Sequence, residues 1–365
     1  MFSGSYHPDD VIFLLKPVQL NYTPIAEKER LIQSGGRHYS EMLSRESSPS
    51  AEYLQLFHAA LDRHRTRFAR DLICLARQIA DQRSGPITLV SLARAGTPVG
   101  ALLNRILRRY LKRDSIHYSI SLIRDRGIDA TALRFILRSH SPDSILFVDG
   151  WTGKGVMARE LRQATEEFQK TDSVTLQPAL YVIADLSGTA AQAATAEDYL
   201  IPSSLLGATI SGLVSRSILN PAVVGPGDYH GCVYHNEFVD TDLTNWFLET
   251  MTEQIAQEWT DSLSFPSAMT ESQREHQRRC SRQLLKDMSV RFHVQEPNHV
   301  KPGIGEATRV MLRRVPSHLL LRDPDGQDVQ HLCELATRRN VPVLIDPGLP
   351  YHAVALIRDV SKGDS

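Results

Sequence analysis

The residues best placed to do chemistry run from Asp149 to Gly155. The apolar run Ile145-Leu146-Phe147-Val148 ends in Asp149. It then feeds Gly150-Trp151-Thr152-Gly153-Lys154-Gly155 and the helical pattern Val156-Met157-Ala158-Arg159-Glu160-Leu161. A strand that ends in an acid and enters a glycine-rich turn at a helix start is suited to an anion. Backbone N–H groups point at the charge and the helix dipole favours it. Glycine lets the backbone come close. Asp149 stands where an acid meets a sugar hydroxyl or a hydrated Mg²⁺, so Mg²⁺ is the expected cofactor, with Asp149 as its ligand.

A second loop, Ser91-Leu92-Ala93-Arg94-Ala95-Gly96-Thr97-Pro98, follows another buried-type strand. In an open α/β sheet, loops at the carboxyl ends of neighbouring strands share one crevice. Arg94 is then placed to neutralise a diphosphate. Between the two loops, Arg124-Asp125-Arg126-Gly127 reads as a mobile lid whose Arg124 and Arg126 close over a polyanion.

The segment Asp228-Tyr229-His230-Gly231-Cys232-Val233-Tyr234-His235 is dense in reactive types. On a strand, His230 and Cys232 face the same way. Cys232 is therefore an alternative nucleophile with His230 as base, and Asp228 or Asp240 could orient the imidazole. Against this, Cys and His partners usually come from separate segments, and a buried Cys behaves as a small hydrophobe.

These residues need a scaffold. The chain has 365 residues, 42% hydrophobic and 23% charged, with net charge −1, which suits a globular protein of more than one domain. The balanced charge means that any nucleic-acid contact must come from a local patch. Four widely spaced cysteines form no CxxC pair and suggest neither a zinc site nor a disulfide framework. No signal-peptide pattern or membrane-length apolar run is visible, so the compartment expected is the cytoplasm. Strands at Ile87–Leu92, His117–Leu122, Ile145–Val148 and Ala179–Asp185 alternate with helices, including two separate ones at Ala51–Phe57 and Arg67–Ile79. That alternation predicts an α/β fold with a mostly parallel sheet. The domains expected are residues 1–262, a linker over 263–285, and a smaller α/β module over 286–365 that folds alone.

In that module, Lys301-Pro302-Gly303-Ile304-Gly305-Glu306 leads into a helix on which Arg309 and Arg313 share a face. Lys301, Gly303, Gly305, Arg309 and Arg313 are the candidate RNA contacts. Backbone amides and arginines read structured RNA by shape.

The order of loops resembles type I phosphoribosyltransferases. The resemblance implies that Arg94, Ala95 and Gly96 hold pyrophosphate, and that Thr152, Gly153, Lys154 and Gly155 hold the 5-phosphate of phosphoribosyl pyrophosphate. Asp149 would take the ribose, and Asp149 and Arg94 would serve catalysis. The family's second adjacent acid is absent: Val148 precedes Asp149 and Gly150 follows it. More specifically, the chain resembles a bacterial group of tellurium-resistance and stress operons. Its members pair a phosphoribosyltransferase-like domain with a Pelota-type RNA-binding domain and are also labelled StiP cysteine proteases. The motifs that carry this include Gln33-Ser34-Gly35-Gly36-Arg37-His38-Tyr39-Ser40-Glu41, Glu197-Asp198-Tyr199-Leu200-Ile201-Pro202-Ser203 and Ser211-Gly212-Leu213-Val214-Ser215-Arg216. The resemblance implies phosphoribosyl transfer coupled to RNA binding in a stress response. The alternatives are a StiP-type cysteine protease and a non-catalytic nucleotide or RNA sensor. The partners expected are phosphoribosyl pyrophosphate or a nucleotide, structured RNA and a second copy of the chain, with no membrane.

Overall fold

A computed structural model of the chain describes residues 2–260 and 269–359. In chain order, β1 (Ile12–Phe13) and β2 (Lys16–Pro17) precede α1 (Ile25–Gln33) and the long α2 (Ala51–Gln82). Then follow β3 (Ile87–Leu92), α3 (Thr97–Arg109), β4 (Ser115–Ile120), β5 (Leu122–Ile123), β6 (Gly127–Ile128) and α4 (Ala130–Leu137). Next come β7 (Ile145–Thr152), α5 (Val156–Asp172), β8 (Leu180–Asp185), β9 (Gln192–Thr195), β10 (Gly231–Cys232) and α6 (Thr244–Glu258). The rest comprises α7 (Glu271–Phe292), β11 (Val300–Pro302), α8 (Ile304–Arg313), β12 (Pro316–Leu321), α9 (Gln330–Arg338), β13 (Val343–Ile345) and β14 (Ala353–Ile357).

The main sheet has the order β1-β4-β3-β7-β8-β9, and all of its pairings are parallel. Its central strands are apolar on both faces because successive side chains alternate. Leu89, Leu146, Val148 and Ile183 pack toward α2, α3 and α6, whereas Val90, Phe147, Leu180 and Val182 pack toward α4 and α5. The α/β expectation with a mostly parallel sheet holds in this form. The two predicted helices at 51–57 and 67–79 are one. The buried stripe Tyr53, Phe57, Leu61, His64, Phe68, Leu72, Leu75 and Ile79 continues through the polar middle at three- and four-residue spacing. Ser50 starts the helix by accepting from the Tyr53 N–H at 3.2 Å.

The smaller sheet has the order β11-β14-β12-β13, with β14 antiparallel to both of its neighbours. One face packs on α7 through Leu284, Met288, Leu320, Val354 and Leu356. Of the stretch read as a linker, residues 263–268 lie outside the described residues, and from Glu271 onward it is α7, opened by a Thr270–Gln273 capping box. The other face buries Ile304, Val310, Met311, Leu319 and Leu332 in the same apolar cluster as Leu72, Tyr199 and Leu205 of the larger unit. The two units share one core, so the expectation that the module folds alone is corrected. Removing it strips apolar cover from the rest.

Candidate functional site

A cleft of about 1050 Å³ opens at the carboxyl ends of β7 and its neighbours, where α8 and the loops around residues 45 and 207 face it. This is the crevice that a parallel sheet offers to ligands. Its lining is rich in cations: Lys28, Arg45, Arg124, Lys154, Arg216, Lys301, Arg309, Arg313, Arg314 and Arg338. The acids are Glu46, Asp149, Glu296, Glu306 and Asp359. The arrangement suits a polyanion.

The glycine-rich loop is present where expected, with Asp149 and Thr152 in β7 and Gly155 left-handed at the α5 start (φ 73°). Its free groups are already engaged. Lys154 Nζ donates to the Pro297 and Val300 carbonyls, the latter at 3.0 Å, and burial and Lys301 lower its pKa to about 6. Thr152 Oγ1 donates to the buried Asp185 carboxylate. A Cβ on Gly153 would lie 3.1 Å from Glu306 Cγ and from the Pro302 carbonyl oxygen, and one on Gly155 would lie 2.5 Å from Thr189 Cγ2. The smaller unit and the 187–190 turn thus cover the loop.

Arg94 does not reach out for a diphosphate. It is 7% exposed, ion-paired to Glu46, and donates to the Val214 carbonyl at 2.8 Å. Burial raises the Glu46 carboxyl, but Arg94 and Arg313 outweigh it and hold the pKa at about 2. Ala95 and Gly96 seal the neighbouring strand: a Cβ on Gly96 would come within 2.4 Å of the Val148 carbonyl oxygen. Asp149 accepts from the Gly150 N–H at 2.8 Å, and burial pushes its pKa up to about 6 against the pull of Arg309. Asp149 and Glu306 stand among Lys154, Lys301 and Arg309, a surrounding that fits Mg²⁺ poorly. Among the described residues, no group of three His, Cys, Asp or Glu could hold a metal ion.

The lid is a short β5–β6 hairpin. The Arg124 N–H donates to Tyr39 Oη at 2.9 Å, its side chain pairs with Asp125, and Arg126 pairs with Glu41 at 3.3 Å. Only Arg124 of the two lines the cleft.

The candidate RNA residues of the smaller unit face inward. Gly305 packs against Trp151, where a Cβ would lie 2.6 Å from Cε2, and Gly303 packs against Leu186. These glycines serve the contact between units. Lys301 and Arg309 share Glu306, at 3.9 and 2.8 Å. Burial raises the Glu306 carboxyl, but Arg309, Lys301 and Lys154 together hold its pKa low. Arg313 points into the cleft with no hydrogen-bonding or ion-pair partner among the described residues.

Sequence reasoning missed Lys28, Glu46 and Arg216 as cleft residues. Arg216 closes a motif, Ser211–Arg216, that stood out without an assigned role. Its Nη2 donates to the Tyr39 and Met42 carbonyls, the former at 2.6 Å.

No cysteine lines the cleft. Cys232 is fully buried and burial pushes its thiol up to about 12, while Cys74 is pushed up to about 11 by burial and Asp71. The expected His230–Cys232 dyad is corrected. His230 Nδ1 bonds Ser121 Oγ at 2.8 Å and its N–H donates to Asp129 at 2.5 Å. Cys280, half-exposed on α7, lies 3.5 Å from His276 Nε2.

Among the described residues, no helix is long and apolar enough to cross a membrane. Residues 4–252 match the family described as tellurite-like stress resistance cysteine protease StiP, and residues 279–359 match the PELOTA RNA binding domain. A protein of Acinetobacter baylyi (strain ATCC 33305 / BD413 / ADP1) named Cysteine protease StiP is 40% identical over 373 residues, covering 99% of this chain and 96% of the relative. No solved structure matches. These similarities overturn the expected phosphoribosyl transfer: the family and the relative are named for thiol proteolysis. The site also withholds Arg94 from a diphosphate, since Glu46 pairs with it.

Proposed function

The chain belongs to the StiP family, and from that membership we propose a stress-resistance protein that combines thiol-dependent peptide hydrolysis with RNA binding in the basic cleft. The observation that carries the RNA half is the placement of Arg309 and Arg313. Both stand on α8, inside the Pelota match, and both face the cleft rather than bulk solvent. RNA would lie between the two units, with its phosphates on the arginines, and affinity would fall steeply with salt as counterions are released.

The hydrolase half is supported by the family and by the relative's name. Peptide hydrolysis by a thiol needs a thiolate that reaches the scissile carbonyl and a base that takes its proton. Two thiols lie inside the StiP match, Cys74 and Cys232. Cys74 sits in the middle of the 32-residue α2, whose opening would break the main core. Cys232 is also buried in that core, but it sits in a two-residue strand paired with Lys16–Pro17 and flanked by isolated bridges, so a shorter segment has to open to expose it. Cys232 is therefore the nucleophile of this reading, active in an opened state of the 218–235 segment in which His230, released from Ser121, takes the thiol proton.

The test assays the full chain and its Cys232→Ala and Cys280→Ala variants on a fluorogenic peptide library, and titrates each with a structured RNA. Hydrolysis lost only in Cys232→Ala, with RNA affinity unchanged, is the expected result. A wild-type chain that cleaves no peptide would remove the hydrolase half. A wild-type chain that binds no RNA at low salt would remove the other.

A further inference from the structure

The inner end of the cleft carries more positive charge than the fold neutralises. Arg94 is matched by Glu46, and Arg314 makes a bidentate pair with Glu29, its Nη2 contact being 2.8 Å. Lys28, Arg216 and Arg313 line the same cavity and make no ion pair of their own among the described residues; the carboxylates that attract them, Glu46 and Glu29, are already paired to Arg94 and Arg314. Lys28 is only 6% exposed, and its ammonium has no hydrogen-bonding partner among the described residues. Arg216 spends Nη2 on two carbonyls, while its Nη1 is buried with no acceptor. Arg94 and Arg313 converge with Glu46 on Gly207: a Cβ there would lie 2.5 Å from Glu46 Oε2, 3.2 Å from Arg94 Nη2 and 3.3 Å from Arg313 Nη2, so one carboxylate stands against two guanidinium groups.

The cations feel one another. Burial and then Arg216 pull Lys28 down to about 8, and burial and then Arg94 pull Arg313 down to about 9. Holding unmatched cations together in a half-closed cavity is costly and marks the place of an absent anion.

We propose that Lys28, Arg216 and Arg313 form a pocket for the terminal phosphate of an RNA, so that the cleft selects phosphorylated ends. The assignment rests on the RNA reading given above. A phosphodiester inside a strand carries one negative charge. A phosphomonoester carries roughly −1.5 to −2 at neutral pH and three acceptor oxygens, which better matches three unpaired donors. Two of those donors are guanidinium groups, whose planar forks suit phosphate oxygens. RNA rather than an acidic peptide is the occupant because Arg313 belongs to the Pelota match and Arg309, one turn earlier on the same helix, lines the same cleft. Glu306 already answers Lys301 and Arg309, and the Pro297 and Val300 carbonyls take Lys154, which leaves Lys28, Arg216 and Arg313 as the donors of this pocket.

The test uses the full chain and one hairpin RNA in three forms: 5′-phosphorylated, 3′-phosphorylated and with both ends hydroxyl. Polarisation titrations should show at least one phosphorylated form binding about tenfold more tightly than the hydroxyl form, the size expected of one or two charge-assisted hydrogen bonds. Lys28→Gln should abolish that preference and leave the hydroxyl form unchanged, whereas Arg313→Gln should abolish it and weaken all three forms, and Arg313→Lys should retain part of the preference. Millimolar inorganic phosphate should compete only against the preferred form. Equal affinity for all three RNAs would overturn the pocket while leaving the RNA reading in place. If no RNA binds, the RNA reading fails instead. The pocket is then read directly by thermal stabilisation with inorganic phosphate, expected in the wild type and absent in Lys28→Gln. No such stabilisation would overturn it as well.

Discussion

The Arg309 guanidinium carbon lies 4.6 Å from the centre of the Trp151 ring and joins α8 to the end of β7. The same arginine pairs with Glu306 at 2.8 Å, so one side chain serves both the ring and the acid. Gly305, one turn earlier, lets the helix approach the ring closely. Arg309→Ala should weaken the seating of the smaller unit by about 1 kcal/mol, the scale of a partly desolvated cation–π contact. Gly305→Leu should do more damage, because its side chain would collide with the indole. Both changes are read as earlier proteolytic cleavage between the units and a lower melting temperature. Unaltered proteolysis in Gly305→Leu would show that the ring contact does not hold the units together.

Arg94 is a structural cation. Arg94→Ala would strand Glu46, which also accepts from the Ala208 N–H at 3.2 Å, and should cost roughly 3–5 kcal/mol of stability. Replacing both partners by apolar residues, Arg94→Met with Glu46→Leu, should recover most of that loss. Denaturant melts of the three chains measure it. A stable Arg94→Ala chain with a purely ligand-specific defect would return Arg94 to the role of an anion reader.

Asp149 sets a pH dependence of definite sign. Burial raises its folded pKa to about 6, above the ordinary unfolded value of about 3.9. A carboxyl raised on folding favours the folded state while protonated, and that contribution is lost as pH rises through about 6. Asp149→Asn should therefore stabilise the chain at pH 7.5 relative to wild type, with the gain fading below about pH 4. Melting temperatures of both chains across this range provide the check. Equal shifts at all pH values would place the carboxylate in water.

The thiols should divide into two classes. With pKa values of about 11 and 12, Cys74 and Cys232 carry thiolate fractions on the order of 10⁻⁴ and 10⁻⁵ at neutral pH. Iodoacetamide labelling followed by peptide mass spectrometry should modify Cys280 and Cys333 first, since both are partly exposed. Cys232 should react only as its segment opens, and sub-denaturing urea should speed its labelling more than that of Cys74. Labelling of Cys232 as fast as Cys280 in buffer would show that the open state is already dominant.

Much of the scaffold was legible in the sequence because it rests on local pattern. The strands Ile87–Leu92 and Leu180–Asp185 are continuous apolar runs bounded by turns, and the loop from Asp149 to Gly155 carries its own conformational signature. Helix α2 was misread as two because its middle, from His58 to Thr66, is polar on one face, while the buried Ala60, Leu61 and His64 carry the stripe on the other. Strand β14, Ala353–Ile357, went unread because a short apolar run near the end of a chain does not reveal that it will lie between two other strands.

The site followed a different rule. Residue types and spacing determined that an acid, a glycine loop and arginines would collect at strand ends. Which of those charges would remain available was decided by partners far away in sequence. Glu46 consumes Arg94 across 48 positions, and Glu29 consumes Arg314 across 285. The carbonyls of Pro297 and Val300 take Lys154, and Ser121 takes His230. A charge in a low-dielectric cleft is governed by whichever countercharge the tertiary fold brings within a few ångströms. Sequence could nominate Arg313, but only the fold could bring Lys28 and Arg216 into the same cavity, where Glu46 is already paired to Arg94.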